Sequence, residues 1–156
     1  MVNVLFVCLG NICRSPTAHG VFENMVRKAG LEKNINVDSC GTGAWHIGQP
    51  PDDRTLHVAS QRGYDFSHLR ARRLADEDFD RFQYILAMDA RNLADIIKKV
   101  PAHYVGKVQL FLDYHPDTNI LEVPDPYYGG AEGFERVFTL VETACEHLLQ
   151  ELKKGL

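Results

Sequence analysis

The sequence predicts an α/β protein: a parallel sheet of about four strands with helices covering both faces. Short apolar runs of strand length alternate along the chain with longer segments in which apolar residues recur at helical spacing. The chain has 156 residues, of which 45% are hydrophobic, as suits one domain with a substantial core. No internal repeat, linker or low-complexity tract divides it, so we expect residues 1–156 to form a single domain.

The first strand and the first helix have the clearest patterns. The apolar run over residues 1–7, interrupted by one asparagine, predicts a buried strand. Residues 16–29 carry an apolar stripe at i, i+3, i+4, i+7 spacing, and Gly30 follows as the expected helix stop. We interpret Ser15 and Pro16 as the helix start, with the serine hydroxyl as N-cap and proline at the first helical position.

The rest of the chain continues the alternation. Its predicted strands cover residues 35–39, 84–88 and 108–112, and its predicted helices cover residues 53–62, 90–99 and 132–153. Asp89 is the expected N-cap of the middle helix. Because ligands of parallel sheets bind at the carboxyl ends of strands, the loop beginning at Cys8, the turn at Asp89 and the loop 113–130 should meet at one edge.

The loop after the first strand has the chemistry of an anion site. A loop that enters a helix points successive N–H groups inward, and the helix dipole adds partial positive charge. The same field would hold Cys8 as a thiolate, the nucleophilic form of cysteine. Arg14 lies six positions later and can grip two oxygens of an oxyanion with its planar fork. Gly10 would supply backbone freedom, and Ser15 could donate its hydroxyl to the sulfur.

Composition excludes several other classes of function. A net charge of −4 gives no general attraction to nucleic acid or to a membrane surface. No segment has the length of a membrane span, and no signal peptide is recognisable. The four cysteines, at positions 8, 13, 40 and 145, match neither a disulfide scaffold nor a zinc site. We therefore expect reduced thiols, a cytoplasmic protein, and no metal or cofactor.

The segment CLGNICRSP over residues 8–16 resembles the signature of the low-molecular-weight protein tyrosine phosphatases. The resemblance extends over nearly the whole chain, through the loop 41–46, the turn 87–89 and the segment 125–128. It implies the phosphotyrosine phosphatase I-like fold, a Rossmann-type arrangement. It also implies hydrolysis of phosphotyrosine in proteins, without a cofactor.

The resemblance assigns a role to individual residues. Cys8 would attack phosphorus, Arg14 would hold the phosphate oxygens, and Asp125 would protonate the leaving phenolate and then activate water. The phosphate-binding or loop-supporting residues would be Leu9, Gly10, Asn11, Ile12, Cys13, Ser15, His68 and Asp89. Trp45, Tyr127 and Tyr128 would line the substrate pocket. Cys13 would form a disulfide with the nucleophile and protect it from irreversible oxidation.

Three alternative functions share features with this sequence. Arsenate reductases on this scaffold need further cysteines downstream, and residues 41–144 contain none. Protein arginine phosphatases resemble this signature but carry threonine where this chain has Ile12, so we favour phosphotyrosine. A non-catalytic phosphopeptide-binding module would have no use for Asp125.

The basic cluster of Arg70, Arg72 and Arg73 is interpreted as a solvated surface. We expect phosphotyrosine proteins as partners and a monomer or weak dimer.

Overall fold

A four-stranded parallel sheet forms the centre of the structure, a computed structural model that describes residues 1–156. The strands are β1 (Val2–Cys8), β2 (Ile35–Gly41), β3 (Tyr84–Ala87) and β4 (Lys107–Leu110). Their spatial order is β2-β1-β3-β4, and every neighbouring pair is parallel. The chain therefore leaves β1 toward one side for β2 and crosses to the other side for β3. This reversal places a crevice at the carboxyl end of β1, where such sheets bind ligands.

Helices cover both faces of the sheet, as predicted. They are α1 (Arg14–Lys28), α2 (Asp53–Gln61), α3 (Asp78–Arg81), α4 (Ala90–Ile97) and α5 (Ala131–Lys153). Side chains of β1 alternate between two apolar clusters, since successive residues of a strand point to opposite faces. Val4 and Phe6 join the larger cluster with α1 and α5, and Leu5 and Val7 join the smaller one with α4. None of the helices combines the length and the hydropathy that a membrane span requires.

The central strand is the most deeply buried part of the fold. Residues 4–7 of β1 have no solvent-exposed surface. The Phe6 ring makes edge-to-face contacts with Phe22 of α1, at 5.9 Å between centroids, and with Phe111, at 5.0 Å. Such packing fixes the position of β1. Cys8, its last residue, therefore projects from a rigid support.

The structure corrects two predicted boundaries and adds one short helix. The fourth strand ends at Leu110, and residues 111–114 form a 3₁₀ turn that buries Phe111 against the core. A short helix at 78–81 had no strong sequence signal. Helix α1 begins at Arg14, with Cys13 at the N-cap position, so the prediction of Ser15 as N-cap was wrong. The Ser15 hydroxyl makes different hydrogen bonds.

Candidate active site

The loop between β1 and α1 pairs several of its carbonyl groups with other segments and leaves most of its N–H groups unpaired. Three of its carbonyl oxygens accept N–H groups from other segments: Thr42 donates to Cys8, Gly43 to Leu9 and Asp52 to Ile12, each at 2.9 Å. The backbone N–H groups of Leu9, Gly10, Ile12, Cys13 and Arg14 have no acceptor within the protein. Unpaired donors at a helix N-terminus form a binding site for an oxyanion.

Two polar groups lie next to the sulfur of Cys8, a residue that is only 3% exposed. The Ser15 hydroxyl lies 2.9 Å from Sγ, and the Asn11 N–H donates to Sγ at 3.2 Å. The Asn11 side-chain amide donates to the Ser15 oxygen at 2.7 Å, which orients the hydroxyl hydrogen away from itself. The hydroxyl has two acceptors within reach, the sulfur and the Cys40 carbonyl at 3.3 Å, and the sulfur is the nearer. Donors at such distances stabilise a thiolate more than a thiol.

Asn11, rather than Gly10, adopts the left-handed conformation that closes the loop. Its φ is 56°, a value that asparagine tolerates better than most residues. Its side-chain oxygen accepts the Arg72 N–H at 3.0 Å, so the conformation is held from two sides. The prediction that Gly10 supplies this freedom was therefore wrong. Gly41 is sterically required instead, because a Cβ there would lie 2.7 Å from the Leu9 carbonyl oxygen.

Arg14 is buried at the end of the loop and contacts two other segments, the turn at Asp89 and the segment 123–125. Its Nη1 donates to Asp89 Oδ2 at 2.6 Å and to the Val123 carbonyl at 3.1 Å, and its Nη2 lies 3.8 Å from Asp125 Oδ2. Burial opposes the charged form, but the Cys8 sulfur and Asp89 outweigh burial and raise the pKa of Arg14. Asp89 also caps α4 through the Asn92 N–H at 2.7 Å. The guanidinium is thus a fixed positive charge at the pocket floor.

A pocket of about 430 Å³ opens above the loop. Its lining residues are Cys8, Leu9, Gly10, Ile12, Cys13, Arg14, Trp45, His46, Asp125, Tyr127 and Tyr128. Trp45 and Tyr128 are 69% and 92% exposed, so they form a rim rather than part of the core. Asp125 reaches the same pocket, and its Oδ1 accepts the Tyr127 N–H at 3.0 Å. His46 is the one lining residue that the sequence did not single out.

Comparison with known proteins agrees with this geometry. The family model described as low molecular weight phosphotyrosine protein phosphatase matches residues 3–156. A low molecular weight phosphotyrosine protein phosphatase of Schizosaccharomyces pombe is 53% identical over 152 residues, which cover 97% of this chain and 97% of that protein.

The chain belongs to this family.

Two solved structures extend the comparison to the fold of the phosphatase. A protein tyrosine phosphatase from Entamoeba histolytica, with Hepes in its active site, superimposes with a TM-score of 0.94 at 40% identity and covers 99% of both chains. A Drosophila arginine phosphatase superimposes with a TM-score of 0.91 at 32% identity and covers 98% of both chains. The fold class and the family resemblance predicted from the sequence are therefore confirmed.

His68 does not brace the phosphate-binding loop, which corrects a sequence-based prediction. Its ring is 55% exposed, and Nε2 lies 3.0 Å from Glu23 Oε1. The buried histidine in this region is His19, whose Nδ1 lies 2.9 Å from Ser39 Oγ. His19 and His68 both face Glu23, and the hydrogen bond from His19 is the main cause that lowers the pKa of Glu23 to about 2. Because Glu23 offers a surface partner, His68 turns toward it.

Arg72 was predicted to lie on a solvated surface, but its side chain forms ion pairs within the fold. Its guanidinium donates to Asp38 at 3.1 Å and makes a two-pronged contact with Asp78, with both distances at 3.0 Å. Since its backbone N–H holds Asn11, this ion pair supports the phosphate-binding loop from behind. The sequence offered no signal for the contact between Arg72 and Asn11, because the two residues are 61 positions apart.

Cys13 lies buried in the loop as a protonated thiol. Burial is the main cause that raises its pKa to about 12, and the negative charges of Asp52 and Cys8 add to the effect. Two cysteines five positions apart therefore differ in chemistry. Cys8 has hydrogen-bond donors aimed at its sulfur, whereas the surroundings of Cys13 disfavour its thiolate.

Proposed function

We propose that this phosphatase hydrolyses phosphotyrosine in proteins, and small aryl phosphates, through a phosphocysteine formed on Cys8. The observation that carries the proposal is the composition of one pocket. It joins a sulfur with two donors, a set of unpaired N–H groups, a buried guanidinium and a carboxyl group. These are the parts that transfer of a phosphoryl group requires.

In the first step, the Cys8 thiolate attacks phosphorus while the bond to the aryl oxygen breaks. Negative charge on the three equatorial oxygens is met by the inward N–H groups and by Arg14. The departing phenolate takes a proton from Asp125, because an unprotonated phenolate is a poor leaving group. The loop donors supply the charge stabilisation, so the reaction requires no metal ion.

In the second step, the phosphocysteine is hydrolysed. Asp125, now a carboxylate, accepts a proton from water as the water oxygen attacks phosphorus. The bond between sulfur and phosphorus breaks, which releases inorganic phosphate and returns Cys8 to the thiolate. The Ser15 hydroxyl, at 2.9 Å from Sγ, stabilises the sulfur as it leaves.

The walls of the pocket suit an aromatic substrate. Trp45, Tyr127 and Tyr128 offer flat apolar surfaces around a deep phosphate site, as a phenyl ring requires.

Phosphoarginine is the second candidate substrate, because one structural relative is an arginine phosphatase. Ile12 favours phosphotyrosine, since its side chain offers no hydroxyl to position water near a phosphoramidate. We expect matched peptides to be hydrolysed faster with phosphotyrosine than with phosphoarginine; the reverse preference would overturn the substrate assignment.

The phosphocysteine can be tested with one substitution. Cys8→Ser should abolish hydrolysis of p-nitrophenyl phosphate, and the wild-type activity should be insensitive to chelators. Acid quenching during turnover, followed by peptide mass spectrometry, should place phosphate on Cys8. Cys145→Ala removes a buried thiol remote from the pocket and should keep both the activity and the labelled peptide. Phosphate on another residue, or activity in Cys8→Ser, would contradict the mechanism.

We also propose that Cys13 protects the nucleophile from oxidation. Peroxide would convert the Cys8 thiolate to sulfenic acid, and the Cys13 thiol would condense with it to form a disulfide and water. Peroxide-treated wild type should then recover with a dithiol, whereas Cys13→Ser should lose activity irreversibly. Full recovery of the variant would refute protection.

The proposed setting is the cytoplasm, with the protein acting as a monomer or weak dimer. The four cysteines are all free thiols, which suits a reducing compartment. Cell fractionation and size-exclusion chromatography of the native protein test these two statements. Recovery from a secreted fraction would contradict the cytoplasmic location. A stable higher oligomer would contradict the monomer or weak dimer.

A further inference from the structure

Arg54, in the first turn of α2, joins two parts of the active site without lining the pocket. Its guanidinium makes a two-pronged contact with Asp52, with Nε to Oδ1 at 2.9 Å and Nη2 to Oδ2 at 3.0 Å. The flat face of the same group covers two aromatic rings. Its Cζ lies 5.4 Å from the Tyr127 ring centroid and 4.6 Å from that of Phe134.

The segment that carries Asp125, residues 123–130, is here called the acid loop, and it has few other attachments. Val123 at its start donates to the Met88 carbonyl at 2.8 Å and accepts from Arg14. Beyond Val123, the backbone makes hydrogen bonds only within the loop and with the beginning of α5. The Tyr127 N–H binds the Asp125 carboxyl group, so a shift of Tyr127 would also displace that carboxyl group.

The other partner of Arg54 is attached to the phosphate-binding loop. Asp52 donates its backbone N–H to the Ile12 carbonyl at 2.9 Å, and its side chain caps α2 through the Arg54 N–H. One guanidinium therefore connects the loop that holds phosphate to the aromatic residue that holds the carboxyl group. Guanidinium groups suit this bridge because the same plane can bind a carboxylate at its edge and stack on rings.

We propose that Arg54 is a positioning residue for proton transfer by Asp125, acting through Tyr127. The proposal rests on the proposed role of Asp125 as the acid. Arg54 does not contact substrate; it keeps the acid loop at the height above the phosphate-binding loop where the carboxyl group meets the leaving oxygen. Loss of this contact should impair proton donation while leaving phosphate binding intact.

Helix α2 supplies a matched control at its other end. Arg62 follows α2, and its Cζ lies 5.5 Å from the Phe138 ring centroid. Its guanidinium also binds carboxylates, with Nη2 to Glu135 at 2.7 Å and Nη1 to Glu142. Arg62 thus has the same combination of stacking and ion pairing between α2 and α5, but it makes no contact with the acid loop.

The test compares kcat/KM for two aryl phosphates, since kcat/KM reports the first chemical step. Phenyl phosphate needs a proton on its leaving oxygen, whereas 2,4-dinitrophenyl phosphate does not. Arg54→Ala should lower kcat/KM about tenfold for phenyl phosphate and less than about twofold for the dinitrophenyl ester. Arg54→Lys should recover part of the loss, and Arg62→Ala should change both values by less than about twofold. Inhibition by inorganic phosphate should stay within about twofold of wild type in every variant.

Asp125→Asn separates failure of this inference from failure of the proposed function. If Asp125→Asn is selective for phenyl phosphate and the Arg54 variants are not, the positioning role is wrong and the acid assignment stands. If Asp125→Asn shows no selectivity, the acid assignment itself fails. Thermal unfolding identifies any variant that does not fold. Arg54→Gln, which keeps a donor for Asp52 but loses the charge, then replaces Arg54→Ala, and a loss equal for both esters in it would overturn the proposal.

Discussion

The two loops that meet at the pocket differ in how firmly the fold holds them. The phosphate-binding loop (residues 8–15) is mostly buried, and its carbonyl groups accept N–H groups from two other segments, at residues 42–43 and at Asp52. The acid loop is more exposed, with Tyr128 at 92%, and its attachments include the buried Val123, the contact of Asp125 with Arg14 and the stacking of Arg54 on Tyr127. Charge stabilisation requires donors fixed before the reaction, since reorganisation during the reaction would cost free energy. A proton donor needs only one atom in place, on a loop that leaves room for a protein substrate to enter.

Arg14→Lys should have the largest effect on activity, because it removes the planar guanidinium from the firmly held phosphate-binding loop. We expect kcat/KM to fall about a thousandfold, and equally for good and poor leaving groups, since equatorial oxygens carry the charge in both cases. Steady-state kinetics with phenyl and 2,4-dinitrophenyl phosphate measure it. Arg70→Lys, at an exposed position, is the matched control and should retain activity. A loss confined to phenyl phosphate would place Arg14 with the acid instead.

Ser15→Ala should have an intermediate effect. The substitution removes the hydroxyl at 2.9 Å from the Cys8 sulfur and leaves the Asn11 amide without its acceptor. We expect kcat/KM to fall by about ten- to a hundredfold for both esters, since a charge-assisted hydrogen bond to the nucleophile is lost. The rate of Cys8 alkylation at neutral pH should fall in parallel. Ser67→Ala, on the exposed surface, serves as control; an unchanged alkylation rate in Ser15→Ala would remove the hydroxyl from the mechanism.

Glu23→Gln should leave both loops, and hence activity, unchanged within about twofold. Its effect is on stability. Hydrogen bonds from His19 lower the folded-state pKa of Glu23 to about 2, below an ordinary value of 4.5. The contribution is therefore present above about pH 4.5 and is lost as pH falls through 2. Because the side chain is about one-third exposed, we expect at most about 2 kcal/mol.

Urea unfolding at several pH values measures that contribution. The difference in unfolding free energy between wild type and Glu23→Gln should be largest near pH 6 and should shrink steadily toward pH 2. Glu32→Gln, at an exposed position, controls for the loss of one charge. A constant difference across this range would show that the carboxylate is not the source of the stability. A large loss of activity would show that the cluster of His19, Glu23 and His68 does support the active site.

The sequence predicted the fixed loop well and the acid loop less completely. Cys8 and Arg14 belong to one short segment between a strand and a helix, so their local pattern suffices to place them. Asp125 reached the prediction through the family resemblance, and the structure brings it within 3.8 Å of Arg14. No local pattern in the sequence predicts the stacking of Arg54 on Tyr127, because the two residues are far apart along the chain.

The incorrect predictions share a physical cause. Ser15 has the residue type of an N-cap, but a nearby sulfur and the Asn11 amide compete for its hydroxyl. Gly10 has the residue type for a left-handed conformation, yet Asn11 adopts it because partners on both sides stabilise it. His68 was assigned to the loop by the family resemblance, but its ring binds Glu23 instead. In each case a tertiary contact overrides the preference of a single residue.

The division of labour between the loops is tested most directly by Asp125→Asn, assayed with two esters that differ only in the basicity of the leaving group. We predict that kcat/KM for 2,4-dinitrophenyl phosphate stays within about threefold of wild type, while that for phenyl phosphate falls at least about a hundredfold. The first value would show that the phosphate-binding loop transfers the phosphoryl group unaided, and the second that the acid loop supplies the proton. An equal loss with both esters, or no loss with either, would contradict this account.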